Sequence, residues 1–259
     1  VLNIPESPRW LVLKRGKTEE ALSILEIIDP QTAAQTLQNI SNSQTDATTA
    51  KPQLFSGKYK TPVTLAILFA LFNQMSGINA IIYYAPRIFE MTGLGKDSAL
   101  LSSAGIGLTN LIFTLLALNV IDRFGRRKLM FIGSVGLIVT LGLVARAFYL
   151  EDFGMTVPVL LFVYIAFFAF SQGAVIWVFI SEIFPNEVRA NGQALGSFTH
   201  WIMAAIVAFS FPSIASYLGG GNTFLFFSGM MLLQLLFVWK MMPETKGVSL
   251  EDLEKQLTK

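Results

Sequence analysis

The sequence has no cysteine and only one histidine, and charged residues make up 14% of its 259 residues. Without cysteine there are no disulfides, which fits an apolar exterior that needs none and says nothing about compartment. A soluble domain carries about 25% charged residues, so the shortage of charge argues against one. The net charge of +2 is too small to suggest nucleic acid as a partner. With a single histidine and no paired carboxylates at mid-depth in any apolar run, neither a nucleophile–base pair nor a metal cluster can be assembled, so no enzyme and no metal site are expected. What is abundant is apolar: 53% hydrophobic residues, 22 phenylalanines and a mean hydropathy of +0.56. This is the composition of a membrane protein. The chain opens on Val1 with polar or turn-forming residues, so no signal peptide is visible, and an N-terminally incomplete chain is expected.

Crossing about 30 Å of hydrocarbon takes roughly 20 helical residues. Apolar runs near 61–85, 98–121, 129–150, 155–181, 190–217 and 222–242 reach that length, so hydropathy predicts six transmembrane helices. Short segments rich in turn residues join them: "TGLGKD", "DRFGRRK", "LEDFG", "PNEVRANG" and "GGGN". Of the 19 lysines and arginines, only Arg87, Lys96 and Arg146 fall on one side of this arrangement. The positive side stays in the cytoplasm, and an even number of spans returns the chain to it, so both termini are expected there.

Residues 1–60 precede the bundle, 61–242 form it, and 243–259 make a cytoplasmic tail. A short amphipathic helix is expected from Thr18, with Glu19 and Glu20 in its first turn and Ala21, Leu22, Leu25 and Ile28 along one face, lying against the cytoplasmic side of the bundle. The Gln-, Thr-, Ser- and Asn-rich stretch from Gln31 to Lys51 reads as a linker with at most one helical turn.

The first span carries Asn73, Gln74 and Asn79. Polar side chains within a span face the bundle interior or a water-filled path. On an unbroken helix Gln74 and Asn79 would point about 140° apart, and Gly77 is a place to break the helix and turn both toward one cavity. Interhelical hydrogen bonding alone would also explain the amides. Asn110, Gln172 and Trp177 flanking Gly173, and His200 beside Trp201 add polar and aromatic groups at mid-depth, with no charged residue near any span centre. Amides, imidazole, indole and phenol suit a neutral, hydroxyl-rich solute whose C–H faces pack on rings. At the inner ends of the spans, Glu182 is placed to pair with Arg123, Arg126 or Arg189, and positive-inside topology alone also accounts for those arginines.

"PESPRWL", "NQMSGINAIIYYAP", "DRFGRRK", "WVFISEIFPNEVR" and "PETKG", in this order along essentially the whole chain, closely resemble the second half of the sugar porter family of the major facilitator superfamily. That family includes bacterial xylose–proton symporters and facilitative glucose transporters. The resemblance implies an all-α fold: a six-helix half of a twelve-helix carrier, preceded by the end of a sixth membrane helix and a cytoplasmic helical linker. It implies transport of a monosaccharide by alternating access, in the cell membrane, with the missing N-terminal six-helix half and the lipid bilayer as partners and no cofactor. Gln74, Asn79, Asn110 and Trp177 match sugar-contacting positions, and Trp201 matches an aromatic lining the cavity. Tyr83 and Tyr84 match the outer gate. Arg123, Arg126, Arg127, Glu182 and Arg189 match a cytoplasmic charge network, with which Glu6, Arg9, Asp122 and Glu244 are grouped. Asn73 stands where the family usually has glutamine, and His200 where it usually has Asn or Gln, which leaves the sugar open. Gly173-Ala174 replaces a usual Gly-Pro pair, so a less bent fourth span is expected. In proton-coupled relatives the key carboxylate lies in the other half, so symport and uniport stay open, as do a non-transporting sugar sensor and a carrier of another polyol such as inositol.

Overall fold

The computed structural model describes residues 5–45, 53–93, 95–248 and 250–258. These form two compact units, Val1–Pro52 and Gln53–Lys259. The end of a preceding membrane helix is expected at "PESPRWL", residues 5–11; there the structure shows three non-helical residues, three residues of α-helix and the start of a π-turn, and residues 1–4 lie outside the described residues.

In the first unit, α1 (Pro8–Trp10) runs into a π-turn over Leu11–Arg15 that closes at Gly16. Helix α2 (Thr18–Ile28) has Glu19 and Glu20 in its first turn, where carboxylates complement the helix dipole. It stops at Asp29 because Pro30 disfavours helical backbone in the residue before it. Asp29 then accepts hydrogen bonds from the Gln31 N–H at 3.0 Å and the Thr32 hydroxyl at 2.8 Å, which starts the next helix. That helix, α3 (Ala33–Thr45), replaces the expected linker. Its polar average hides Ala33, Leu37 and Ile40, spaced one helical turn apart, which pack with Leu11, Ala21, Ile24 and Leu25. The buried face of α2 also differs from expectation, since Ile24 is buried and Ile28 is exposed.

The second unit is a helical bundle. Helices α4 (Lys60–Met75) and α5 (Ile78–Met91) form one span broken at Gly77. They are followed by α6 (Lys96–Phe124), α7 (Arg126–Leu150), α8 (Thr156–Phe168), a π-turn over Ala169–Gly173, α9 (Ala174–Ile183), α10 (Arg189–Lys240) and α11 (Leu250–Leu257). Among the described residues, five continuous helical stretches are long and apolar enough to cross a membrane. One of them, α10, has 52 residues and would measure about 78 Å if straight, far more than a bilayer. It is not straight. Gly219 leaves the helical region at φ 78°, ψ 161°, and the rings of Phe211 and Phe227, sixteen positions apart, lie 6.4 Å apart. The chain therefore folds back, and the bundle holds the six crossings read from hydropathy.

One residue, Gly125, separates α6 from α7, at φ 90°. A Cβ there would lie 2.6 Å from the Glu244 carboxylate, so both backbone and space require glycine. The fourth span is irregular in spite of its missing proline, because the π-turn interrupts it. Two apolar cores surround the first span. One contains Ile78, Ile81 and Phe89 and the other Leu65, Phe69 and Ala70, so Asn73 and Gln74 fall between them. The tail is part of the bundle, with Leu253 and Leu257 buried and Lys58 Nζ 3.2 Å from Glu254.

A hairpin at Gly219 predicts that cysteines replacing Phe211 and Phe227 are joined by a short bis-maleimide in a chain that has no other cysteine. An unbroken helix would hold those positions about 24 Å apart and give no crosslink.

Candidate functional site

Gly77 adopts φ 83°, ψ 11°, a left-handed conformation that ends α4 and starts α5. A side chain there would be strained and would meet the Phe227 ring at 2.6 Å. The break frees backbone groups, and neighbours take them up. The Ser76 hydroxyl donates to the Asn73 carbonyl at 2.6 Å and accepts from the Ile78 N–H at 3.3 Å. The hydroxyl of wholly buried Tyr164 donates to the Ser76 carbonyl at 2.9 Å.

The break turns Gln74 and Asn79 together, so that Asn79 Nδ2 donates to Gln74 Oε1 at 3.0 Å. Gln74 Nε2 lies 3.0 Å from His200 Nε2 and 3.3 Å from Nδ1, so it donates to whichever ring nitrogen carries no proton. The imidazole sits between two indoles, its centroid 4.9 Å from that of Trp177 and 5.2 Å from that of Trp201. Asn73 Nδ2 donates to the Gln172 carbonyl at 3.4 Å, and its Oδ1 is buried without a partner among the described residues.

These side chains line a cleft of about 320 Å³ with Asn110, Thr114, Phe168 and Gly173. That volume is at the small end of ligand sites, which span roughly 300–1,000 Å³. Its lining has no Asp, Glu, Lys or Arg. Asn73 and Gln74 are buried at its floor, while Trp177 and Trp201 are 43% and 60% exposed. Amides that both donate and accept, set beside exposed indole faces, can hold hydroxyl groups and pack on C–H surfaces.

The structure brings seven of the expected positions to this cleft: Asn73, Gln74, Asn79, Asn110, Trp177, His200 and Trp201. Gln172 is not among the lining residues. Gly173 and Trp177, one turn apart, face the cleft, and Gln172, one position earlier, is carried round so that its amide nitrogen lies 3.2 Å from Met231 Sδ. Tyr83 is exposed, and Tyr84 lines a separate small cavity with its hydroxyl donating to the Ala208 carbonyl at 3.1 Å. Sequence reasoning missed Tyr164 and Ser76, whose task is to satisfy the break, and Thr114 and Phe168 on the wall.

At the other end of α7, Arg126 donates to both oxygens of Glu182, at 2.7 and 3.2 Å, and to Asp122 at 2.9 Å. The Thr245 hydroxyl donates to Glu182 at 2.6 Å. Glu244 accepts the N–H groups of Arg126, Arg127, Thr245 and Lys246 at 2.9–3.1 Å, so a distant carboxylate caps the first turn of α7. Arg127 donates to the carbonyls of Val238 and Trp239, and Lys246 to that of Arg123. Arg189 donates to the Phe184 carbonyl at 3.2 Å. Glu6 and Arg9 belong to the first unit.

A membrane bundle that is all-helical among the described residues, with polar groups converging on an amide-and-indole cleft, defines a polytopic membrane protein with a polar mid-bundle cleft. The chain matches the family described as "Sugar (and other) transporter" over residues 1–257 and belongs to that family. It is 40% identical to the arabinose-proton symporter of Bacillus subtilis over 98% of its length and 55% of the relative's. It is 36% identical to the D-xylose-proton symporter of Escherichia coli K12, over 97% and 52%. The glucose facilitated diffusion protein of Zymomonas mobilis is 34% identical, over 98% and 55%. Among solved structures, the major facilitator proton:xylose symporter XylE bound to 6-bromo-6-deoxy-D-glucose overlays with a TM-score of 0.84 at 34% identity, covering 99% of this chain and 55% of that one. The inward open conformation of XylE from E. coli gives 0.70 at 34% identity, over 98% and 52%. The chain thus spans about half the length of these relatives.

Replacing Glu244 with Ala leaves four backbone N–H groups without their acceptor. Denaturant or thermal unfolding in detergent is expected to show a loss of about 2–3 kcal/mol, with a smaller loss for Glu244→Gln, which keeps one acceptor oxygen.

Proposed function

We propose that this chain supplies one six-helix half of a monosaccharide carrier and that the cleft between Gln74, Asn79, Asn110, Trp177, His200 and Trp201 is its share of the sugar site. The observation that carries this reading is the convergence of amides and indoles on a cavity lined by no charged side chain. A pyranose offers hydroxyls, which both donate and accept, and C–H faces, which stack on indole. An ion would call for opposite charge in the lining. The names of the relatives support a pentose or hexose as the substrate.

The partner in this reading is a second six-helix half, and the carrier works by exposing the site alternately to each side of the cell membrane. The cluster around Arg126, Glu182, Glu244 and Thr245 lies at the cytoplasmic end, with both termini on that side, and serves as a latch that holds the inner ends of the spans together. Relatives include proton symporters and a facilitated diffusion protein, so coupling is assigned to the half that this chain does not supply.

Counterflow of labelled arabinose, xylose and glucose in proteoliposomes holding the full-length carrier tests the reading without any ion gradient. Exchange of at least one sugar is expected, and Asn79→Ala should weaken its binding about 5- to 150-fold, equivalent to 1–3 kcal/mol for a lost buried hydroxyl contact. A folded carrier that exchanges none of the three moves the assignment to another polyol or to a sensor. Unchanged affinity in Asn79→Ala contradicts the site.

A further inference from the structure

A second polar place in the bundle stands apart from the sugar cleft and the latch. Arg146 lies twenty positions after Arg126 on α7, about 30 Å away along the helix and so at the opposite end of the bundle. Here α7 and α8 flank an open groove of about 490 Å³, lined by Arg146, Asp152 and Thr156 and by Leu143, Met155 and Val159, which are 41%, 62% and 50% exposed. Exposed apolar side chains on a membrane-spanning helix face acyl chains or another protein. Arg146, four residues before the end of α7, can carry its guanidinium to the level of the lipid headgroups, where a phosphate is in reach.

The groove has two charges of opposite sign, Arg146 and Asp152. Arg146 and Asp152 are not among the ion pairs within 4.0 Å of the described residues. Asp152 is fixed by its own N–H, which donates to the Ala147 carbonyl at 3.0 Å, and its carboxylate accepts from the Thr156 hydroxyl at 3.4 Å. A guanidinium and a carboxylate held apart in one groove match a ligand with a phosphate at one end and a cationic donor at the other. No aromatic ring lines the groove, so nothing favours a quaternary ammonium, whereas the carboxylate can accept N–H bonds from a primary one.

We propose that this groove binds the headgroup of a phospholipid carrying a primary ammonium, phosphatidylethanolamine, with its phosphate on Arg146, its ammonium on Asp152 and an acyl chain along Leu143 and Val159. On the topology proposed above the site faces the non-cytoplasmic leaflet. It is independent of the sugar site, so a failure of either assignment leaves the other standing.

The test is thermal unfolding of the delipidated full-length carrier in detergent, titrated separately with phosphatidylethanolamine, phosphatidylcholine and phosphatidylglycerol of the same acyl chains. Half-maximal stabilisation is expected at an about tenfold lower concentration of the ethanolamine lipid, the size of one charge-assisted contact. Arg146→Gln and Asp152→Asn, both at exposed positions, should each erase that difference. Equal responses to the three lipids would overturn the proposal and indicate that protein covers the groove. A preference for phosphatidylglycerol, or an ethanolamine preference that survives Asp152→Asn, would overturn it too.

Discussion

Hydrocarbon offers no water to an unpaired peptide group, so a span can break its helix only where other groups take over the freed hydrogen bonds. The break at Gly77 meets that condition. The Ser76 side chain bridges across it, and the Tyr164 hydroxyl, reaching from α8, takes the Ser76 carbonyl. The pairing of the two amides of the first span depends on this arrangement. Without the left-handed residue Gln74 and Asn79 would diverge, and the amide chain from Asn79 through Gln74 to His200 would not form. Close approach of Phe227 leaves glycine as the residue that fits there.

The opposite end of the bundle solves a related problem with charge. Helix α7 starts one residue after α6 ends, which exposes its first N–H groups at Gly125. Glu244, arriving from beyond the last span, accepts two of them, and Thr245 beside it donates to the Glu182 that pairs with Arg126. The residues after Lys240 therefore tie together the starts and ends of several helices. The contacts are partly exposed, so each is worth less than a fully buried pair and is more readily opened.

Most of the architecture was legible because twenty-residue apolar runs have few interpretations in water-soluble chemistry. The turn at Gly219 was legible in the same way, as a cluster of glycines between two runs, even though helical hydrogen bonding continues almost through it. The convergence of Gln74 and Asn79 followed from helical angles and one glycine. Tyr164 was not legible, since it is one aromatic in an apolar run and its partner lies 88 positions away. Gln172 misled because a polar residue at mid-depth looks the same whether it faces a cleft or a methionine on a neighbouring helix. Helix α3 was hidden by a polar average over a three-residue apolar stripe, and the tail by its short length.

The central claim is that the break at Gly77 assembles the sugar-binding amides. It is tested most directly by equilibrium binding of sugar to the full-length carrier with Gly77→Ala, alongside its circular dichroism. The account predicts at least about a tenfold loss of affinity with helix content retained, since the strain of a left-handed alanine and its contact with Phe227 are local. Undiminished affinity in a folded Gly77→Ala carrier would mean that the amides do not need the break, and would contradict the account.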